Sequence, residues 1–158
     1  MLLLDQNRAQ WDHLLIRRGL AALDEARRLG GARGPYALQA AIAECHARAR
    51  TAADTDWPRI ADLYAQLAAV TPSPVIELNR AVAVGMASGP AEGLAIVDAI
   101  AGEKALAGYP WLPSVRGDLL MKLGSMQEAA AEFEKAAALT RNARDRELLL
   151  KRAAESKA

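Results

Sequence analysis

Between Leu112 and Thr140 the apolar positions recur twice at helical spacing, with one break between the two runs. Leu112, Val115, Leu119 and Leu123 fall three and four residues apart, so they line one face of an amphipathic helix. Gly124 ends that helix, because glycine takes the left-handed backbone without a Cβ clash. Ser125 opens the next, and Glu128 follows three residues on, a spacing that predicts a capping box. Met126, Ala129, Ala130, Phe133, Ala136 and Ala137 then make a second stripe of the same period. Neither helix buries its stripe alone. An antiparallel pair covers part of each, and a neighbouring pair covers the rest.

The same punctuation runs through the whole chain. A first helix is predicted from about Arg8 to Leu29, with Trp11, Leu15, Ile16, Leu20 and Leu23 turned inward and Gly30, Gly31 and Gly34 stopping it. Pro35 opens a second, reaching about Ala53 through Leu38, Ile42, Cys45 and Ala49. Asp56 and Pro58 start a third, which buries Trp57, Ile60, Leu63, Tyr64 and Leu67 and ends before Pro72. Ser73 and Pro74 start a fourth; Gly89 and Pro90 separate it from a fifth over about Ala91 to Ala101. A loop with Gly102, Gly108 and Pro110 leads to the two helices described first. A last helix runs from about Ala143 to Ala154, its Leu148–Leu150 run opposed by Arg144, Arg146, Lys151 and Arg152, and acts as a cap.

Turns at Thr55, Gly89 and Gly124 stand 34 and 35 residues apart. That interval resembles the tetratricopeptide (TPR) repeat, a helix–turn–helix unit of about 34 residues. Gly117, Gly124, Ala129, Phe133 and Ala136 occupy the small and aromatic crossing positions of that pattern, while Pro113 and Arg141 replace its Trp and closing Pro. The expected fold is all-α: one domain over residues 1–158, a TPR-like right-handed superhelix of antiparallel hairpins with about eight helices.

Composition narrows the function classes. The 158 residues are 52% hydrophobic but only 4% aromatic, which favours close-packed helices over strands. No apolar run is long enough to span a bilayer, and Asp5, Gln6 and Asn7 follow Leu2–Leu4 directly, unlike a secretory signal. A single cysteine forms no internal disulfide, so the cytoplasm is the expected compartment. Net charge is +1, distributed as +3 over residues 1–50, −5 over 51–140 and +3 over 141–158. The acidic middle argues against direct nucleic-acid binding.

Chemistry is sparse. Cys45 and His46 are neighbours on a helix, about 100° apart, and His13 is remote, so no metal site is expected. No nucleophilic triad order, phosphate loop or H-E-x-x-H motif occurs, and Asp54/Asp56 and Glu132/Glu134 sit at a helix start and on a solvated face. No catalytic residue and no cofactor are assigned. On the 34-residue register, Ile76, Asn79, Ala83 and Met86, then Trp111, Ser114, Asp118 and Met121, face the concave side of the array. That groove either takes a helix or extended segment or is filled by the chain's own first helix or loops.

The run DQNRAQWD (Asp5–Asp12) resembles the DQDRSRWD signature in the C-terminal extension of one group of extracytoplasmic-function (ECF) sigma factors. GPYALQAAIAECHARA (Gly34–Ala49), TDWPRIADLY (Thr55–Tyr64), SPVIELNRAVAV (Ser73–Val84), GYPWLPSVRGDLL (Gly108–Leu120) and LTRNARDRELL (Leu139–Leu149) resemble the same extension. The likeness covers nearly the whole chain. It departs at Asn7, where the signature has its second Asp, and at Ala9-Gln10, where it has Ser-Arg.

What the resemblance implies is a TPR-like regulatory domain that follows the two DNA- and polymerase-binding sigma domains and controls them in place of a separate anti-sigma factor. Those promoter-reading domains have no counterpart in these residues, so an excised domain or a truncated relative is expected. The partners implied are the sigma core domains and RNA polymerase, through Asp5, Arg8, Trp11 and Asp12, with Asn79, Arg80, Trp111 and Asp118 as further contact candidates. The plain physical reading stands beside it: Asp5 a helix cap, Arg8–Asp12 a surface pair, Trp11 a core anchor, and Asn79–Arg80 a buried helix-to-helix hydrogen-bonding pair. The alternative function is a free-standing TPR-like scaffold for a peptide of an unrelated partner. An enzyme would need a deep polar pocket with clustered titratable groups.

Overall fold

The computed structural model describes residues 11–30 and 34–157. Those residues form eight α-helices and one short 3-10 turn, with no strand among them. The architecture is all-α, built from helical hairpins that pack as TPR-like pairs. The chain divides into two compact units, residues 1–72 and 73–158.

The first unit holds α1 (His13–Arg28), α2 (Pro35–Arg48) and α3 (Trp57–Val70). Asp12 caps α1: its carboxylate accepts the N–H groups of Leu14 and Leu15, both at 3.0 Å. The helix thus begins at His13 rather than near Arg8. It also buries no side chain; Leu15, expected inward, is 62% exposed, and Ile16, Leu20 and Leu23 are only half-buried against α2.

Leu38, Ala41, Ile42 and Cys45 of α2 are buried, as are Ile60, Leu63 and Leu67 of α3, and the two helices pack on each other. His46 meets Trp57 edge-on at 5.5 Å. The second helix stops at Arg48, short of Ala53. Beyond it the Asp54 carboxylate accepts from the Thr51 N–H (3.1 Å) and hydroxyl (2.9 Å), a local turn that competes with helix propagation. Asp56 then caps α3 by accepting the Arg59 N–H, and Pro58 sits in the first turn, where its missing donor costs nothing.

The second unit comprises α4 (Pro74–Ala87), α5 (Pro90–Ile100), the turn Lys104–Leu106, α6 (Trp111–Lys122), α7 (Met126–Leu139) and α8 (Ala143–Glu155). Gly89 (φ 138°) and Gly124 (φ 81°) close the α4–α5 and α6–α7 hairpins in backbone conformations that suit glycine alone. Leu78, Val97, Leu106, Leu112, Val115 and Leu119 form one core; Leu120, Ala129, Phe133, Ala136 and Leu149 form a second. Leu106 comes from a segment read as loop, and the 3-10 turn is what drives it inward.

Two details differ from the sequence pattern. The Ser125 side chain makes no capping hydrogen bond, so the capping box with Glu128 does not form; the Gly124 and Ser125 N–H groups instead close the end of α6, donating to the Met121 and Leu120 carbonyls. Leu123 and Met126, assigned to the two stripes, flank the turn and are exposed.

Candidate interaction site

The residues named from the sequence fall in different places. Asp5 and Arg8 lie outside the described residues. Trp11 is half-buried, beside Ile16 and Leu20 in a groove along α1 and the end of α2. The Asp12 carboxylate caps α1 by accepting the Leu14 and Leu15 N–H groups.

In the second unit, Arg80 donates to Glu77 of its own helix (Nε 3.0 Å, Nη2 2.8 Å), and does not form the expected helix-to-helix pair with Asn79. Asn79 is half-buried on α4. Trp111 packs against the core around Leu78 and Leu112. Asp118 accepts from Arg152 of α8, whose guanidinium carbon stands 4.7 Å from the centroid of the Phe133 ring. The expected concave row is therefore partly engaged by the chain itself: Ala83 is core, Asp118 meets Arg152, and the Ser156 hydroxyl stands 3.8 Å from the Met121 sulfur. Within the second unit, α8 and its C-terminal cap supply the contacts to Asp118 and Met121.

Sequence reasoning missed two ion networks. Arg116 of α6 donates to Asp98 of α5 (2.8 Å) and to Glu132 of α7 (3.2 Å), tying neighbouring hairpins together; Glu132 is thus paired rather than merely solvated. In the first unit Glu44, 5% exposed, accepts from Arg27 of α1 and from Arg48 Nε at 2.7 Å, while Asp24 meets Arg27 at 3.3 Å and Arg48 at 3.6 Å. The signals were there. Glu44 sits inside the buried stripe of α2, where an acid needs a cation, and Asp118 precedes Arg152 by the repeat interval of 34.

The hydrogen bond from Arg27, followed by that from Arg48, lowers the Glu44 carboxyl from 4.5 to about 2 despite burial. The unfolded chain takes up this proton near pH 4.5, whereas the folded chain refuses it until about pH 2. The contribution to stability is therefore complete above pH 4.5 and is lost as pH falls through that window. Solvent screens the partly exposed arginines, so the expected size is about 1–2 kcal/mol. Urea unfolding at pH 7 and pH 3 checks it: Glu44→Gln should flatten the acid loss, and an unchanged acid loss would contradict the assignment.

Burial raises the Cys45 thiol, which makes it a poor nucleophile at neutral pH. Among the described residues no three His, Cys, Asp or Glu side chains converge to hold a metal ion. No helix among them is long and apolar enough to cross a membrane. The arrangement is one of polar tracks and paired ions on helical hairpins, chemistry suited to docking.

No protein family's profile matches the chain, and no solved structure matches it. It is 46% identical over 143 residues to an uncharacterized protein of Rhizobium meliloti (strain 1021), a stretch that covers 90% of this chain and 33% of that protein. The chain thus spans about a third of the length of the curated relative it matches.

Proposed function

We propose that this chain is the regulatory protein-interaction domain of an ECF sigma factor, modulating transcription initiation in the cytoplasm by contact with the sigma core domains or RNA polymerase. The observation that carries the reading is α1. It follows the DQNRAQWD run directly, buries no side chain over sixteen residues, and leaves Leu14 and Leu15 more than half exposed. An amphipathic helix with an uncovered apolar edge is a helix available to a partner. Where the sigma domains precede this segment, α1 is the nearest to them in sequence among the described helices.

The relative three times as long, alike over this stretch, supports a domain that works within a larger chain. The test is run-off transcription with a full-length sigma factor carrying this segment. Leu14→Asp with Leu15→Asp is expected to change transcript yield by about tenfold, the scale of one lost apolar anchor pair. Because both side chains are exposed, the fold should survive. Unchanged yield from that variant and from one lacking the whole segment would refute the reading.

A further inference from the structure

The geometry points to a docking track for an acidic protein segment on the first unit. Two clefts meet there and share Arg48, Ala49 and Arg50. One, of about 850 Å³, runs past Arg27 and Glu44 to Arg59; the other, of about 610 Å³, is walled by Trp11, Ile16, Leu20 and Arg17. Five guanidinium groups border the combined track against three carboxylates, Glu44, Asp54 and Asp56.

Of those carboxylates Glu44 is ion-paired, while Asp54 and Asp56 accept hydrogen bonds from neutral groups. Glu44 takes Arg27 and Arg48, Asp54 takes the Thr51 N–H and hydroxyl, and Asp56 takes the Arg59 N–H. Among the described residues no carboxylate stands within ion-pair distance of the Arg17, Arg50 or Arg59 guanidinium. Among the described residues the second cleft has no acid in its lining. Among the described residues the lining therefore holds more guanidinium groups than carboxylates, and its other wall is half-buried Trp11, Ile16 and Leu20.

That pairing selects the partner. A guanidinium fork accepts a carboxylate through two parallel hydrogen bonds, and the apolar wall takes the side chains between. The fit is an extended or helical protein segment in which apolar and acidic residues alternate. A nucleic-acid strand fits less well: its charge repeats at every phosphate and would be driven past the anionic Glu44, Asp54 and Asp56, whereas a peptide can place its carboxylates opposite Arg17, Arg50 and Arg59 alone.

This inference rests on the reading of the domain as one that acts by protein contact, and names its surface and the partner's chemistry. The test uses the purified chain and fluorescence polarisation of a labelled peptide alternating Leu with Glu. The same peptide with Gln for Glu and a single-stranded oligothymidine are the comparison probes. The Glu peptide should bind, and its affinity should fall by about tenfold on raising salt past the Debye regime of physiological buffer. Arg50→Glu and Arg59→Glu should each weaken it by about tenfold, while Arg141→Glu, an exposed residue of the second unit, leaves it unchanged.

Equal binding of the Gln peptide, preference for the oligonucleotide, or unchanged affinity in both charge reversals overturns the track. If a reversal loses helix content by circular dichroism, Arg50→Gln and Arg59→Gln supply the reading instead. Intact, arginine-dependent peptide binding with no effect on transcription would leave the track standing and remove the sigma-factor role. The opposite pattern would remove the track alone.

Discussion

Gly93→Ala is expected to destabilise the second unit by about 2–4 kcal/mol, more than any other single added methyl group in the chain. A Cβ built at Gly93 stands 2.8 Å from the Ala81 carbonyl oxygen, 2.9 Å from Gly85 Cα and 3.1 Å from Gly85 N. All three neighbours are backbone of α4, so no side chain can turn away to make room. Relief comes only if α5 moves off α4, and that move opens the contact around Val97, Leu78 and Ala81. Alanine's better helix propensity recovers less than about 1 kcal/mol of this.

Gly85→Ala is the control. Its Cβ meets chiefly Leu119 Cδ2 at 2.8 Å, the end of a side chain that can change rotamer. The cost should be smaller, about 1 kcal/mol. Urea and thermal unfolding measure both, with a melting shift of about 4–8 °C per kcal/mol in a unit of this size. If the two glycines prove equally tolerant, the close α4–α5 crossing is wrong.

Much of this architecture was legible because prolines and glycines mark it. Pro35, Pro58, Pro74 and Pro90 each stand in the first turn of a helix, and Gly89 and Gly124 each hold the left-handed turn after one. These are local rules, and local rules survive without knowledge of neighbours. The stripe of α7 was legible too, since Ala129, Phe133 and Ala136 are all fully buried.

Failures came where a tertiary or side-chain choice intervenes. The apolar period of α1 is strong, yet period alone does not say how far each position is covered, and here Leu15 stays 62% exposed. The alanine-rich stretch after Arg48 favours helix by propensity, but Asp54 folds back on Thr51. The candidate site suffered similarly. Asp118 read as a groove residue from its place in the register; its partner Arg152 stands 34 residues on, a pairing that the repeat interval marks but no local window spans. Arg50 and Arg59 carried no signal in the sequence, since only the fold brings them into the lining of one cleft.

Phe133→Ala should cost about 3–5 kcal/mol, a large share of what holds a domain of this size folded. The ring is completely buried, and it fills the gap left by Gly117 on the facing helix. A Cβ at Gly117 would lie 2.9 Å, 3.0 Å and 3.2 Å from three atoms of that ring, its three nearest neighbours. Gly117→Ala in the natural chain therefore forces the ring to shift and should destabilise by about 1 kcal/mol. In the Phe133→Ala background the obstacle is gone. There the same methyl group enters empty space and adds helix propensity, so its effect should reverse sign and stabilise by about 0.5–1 kcal/mol. A double-mutant cycle by urea unfolding reads the coupling directly. Additive costs would mean that Gly117 is not there for the ring, and that the α6–α7 crossing owes its closeness to something else. Arg152 gives a further readout: with the ring removed it loses its aromatic neighbour while keeping Asp118, so Arg152→Ala should cost less in the Phe133→Ala chain than in the natural one.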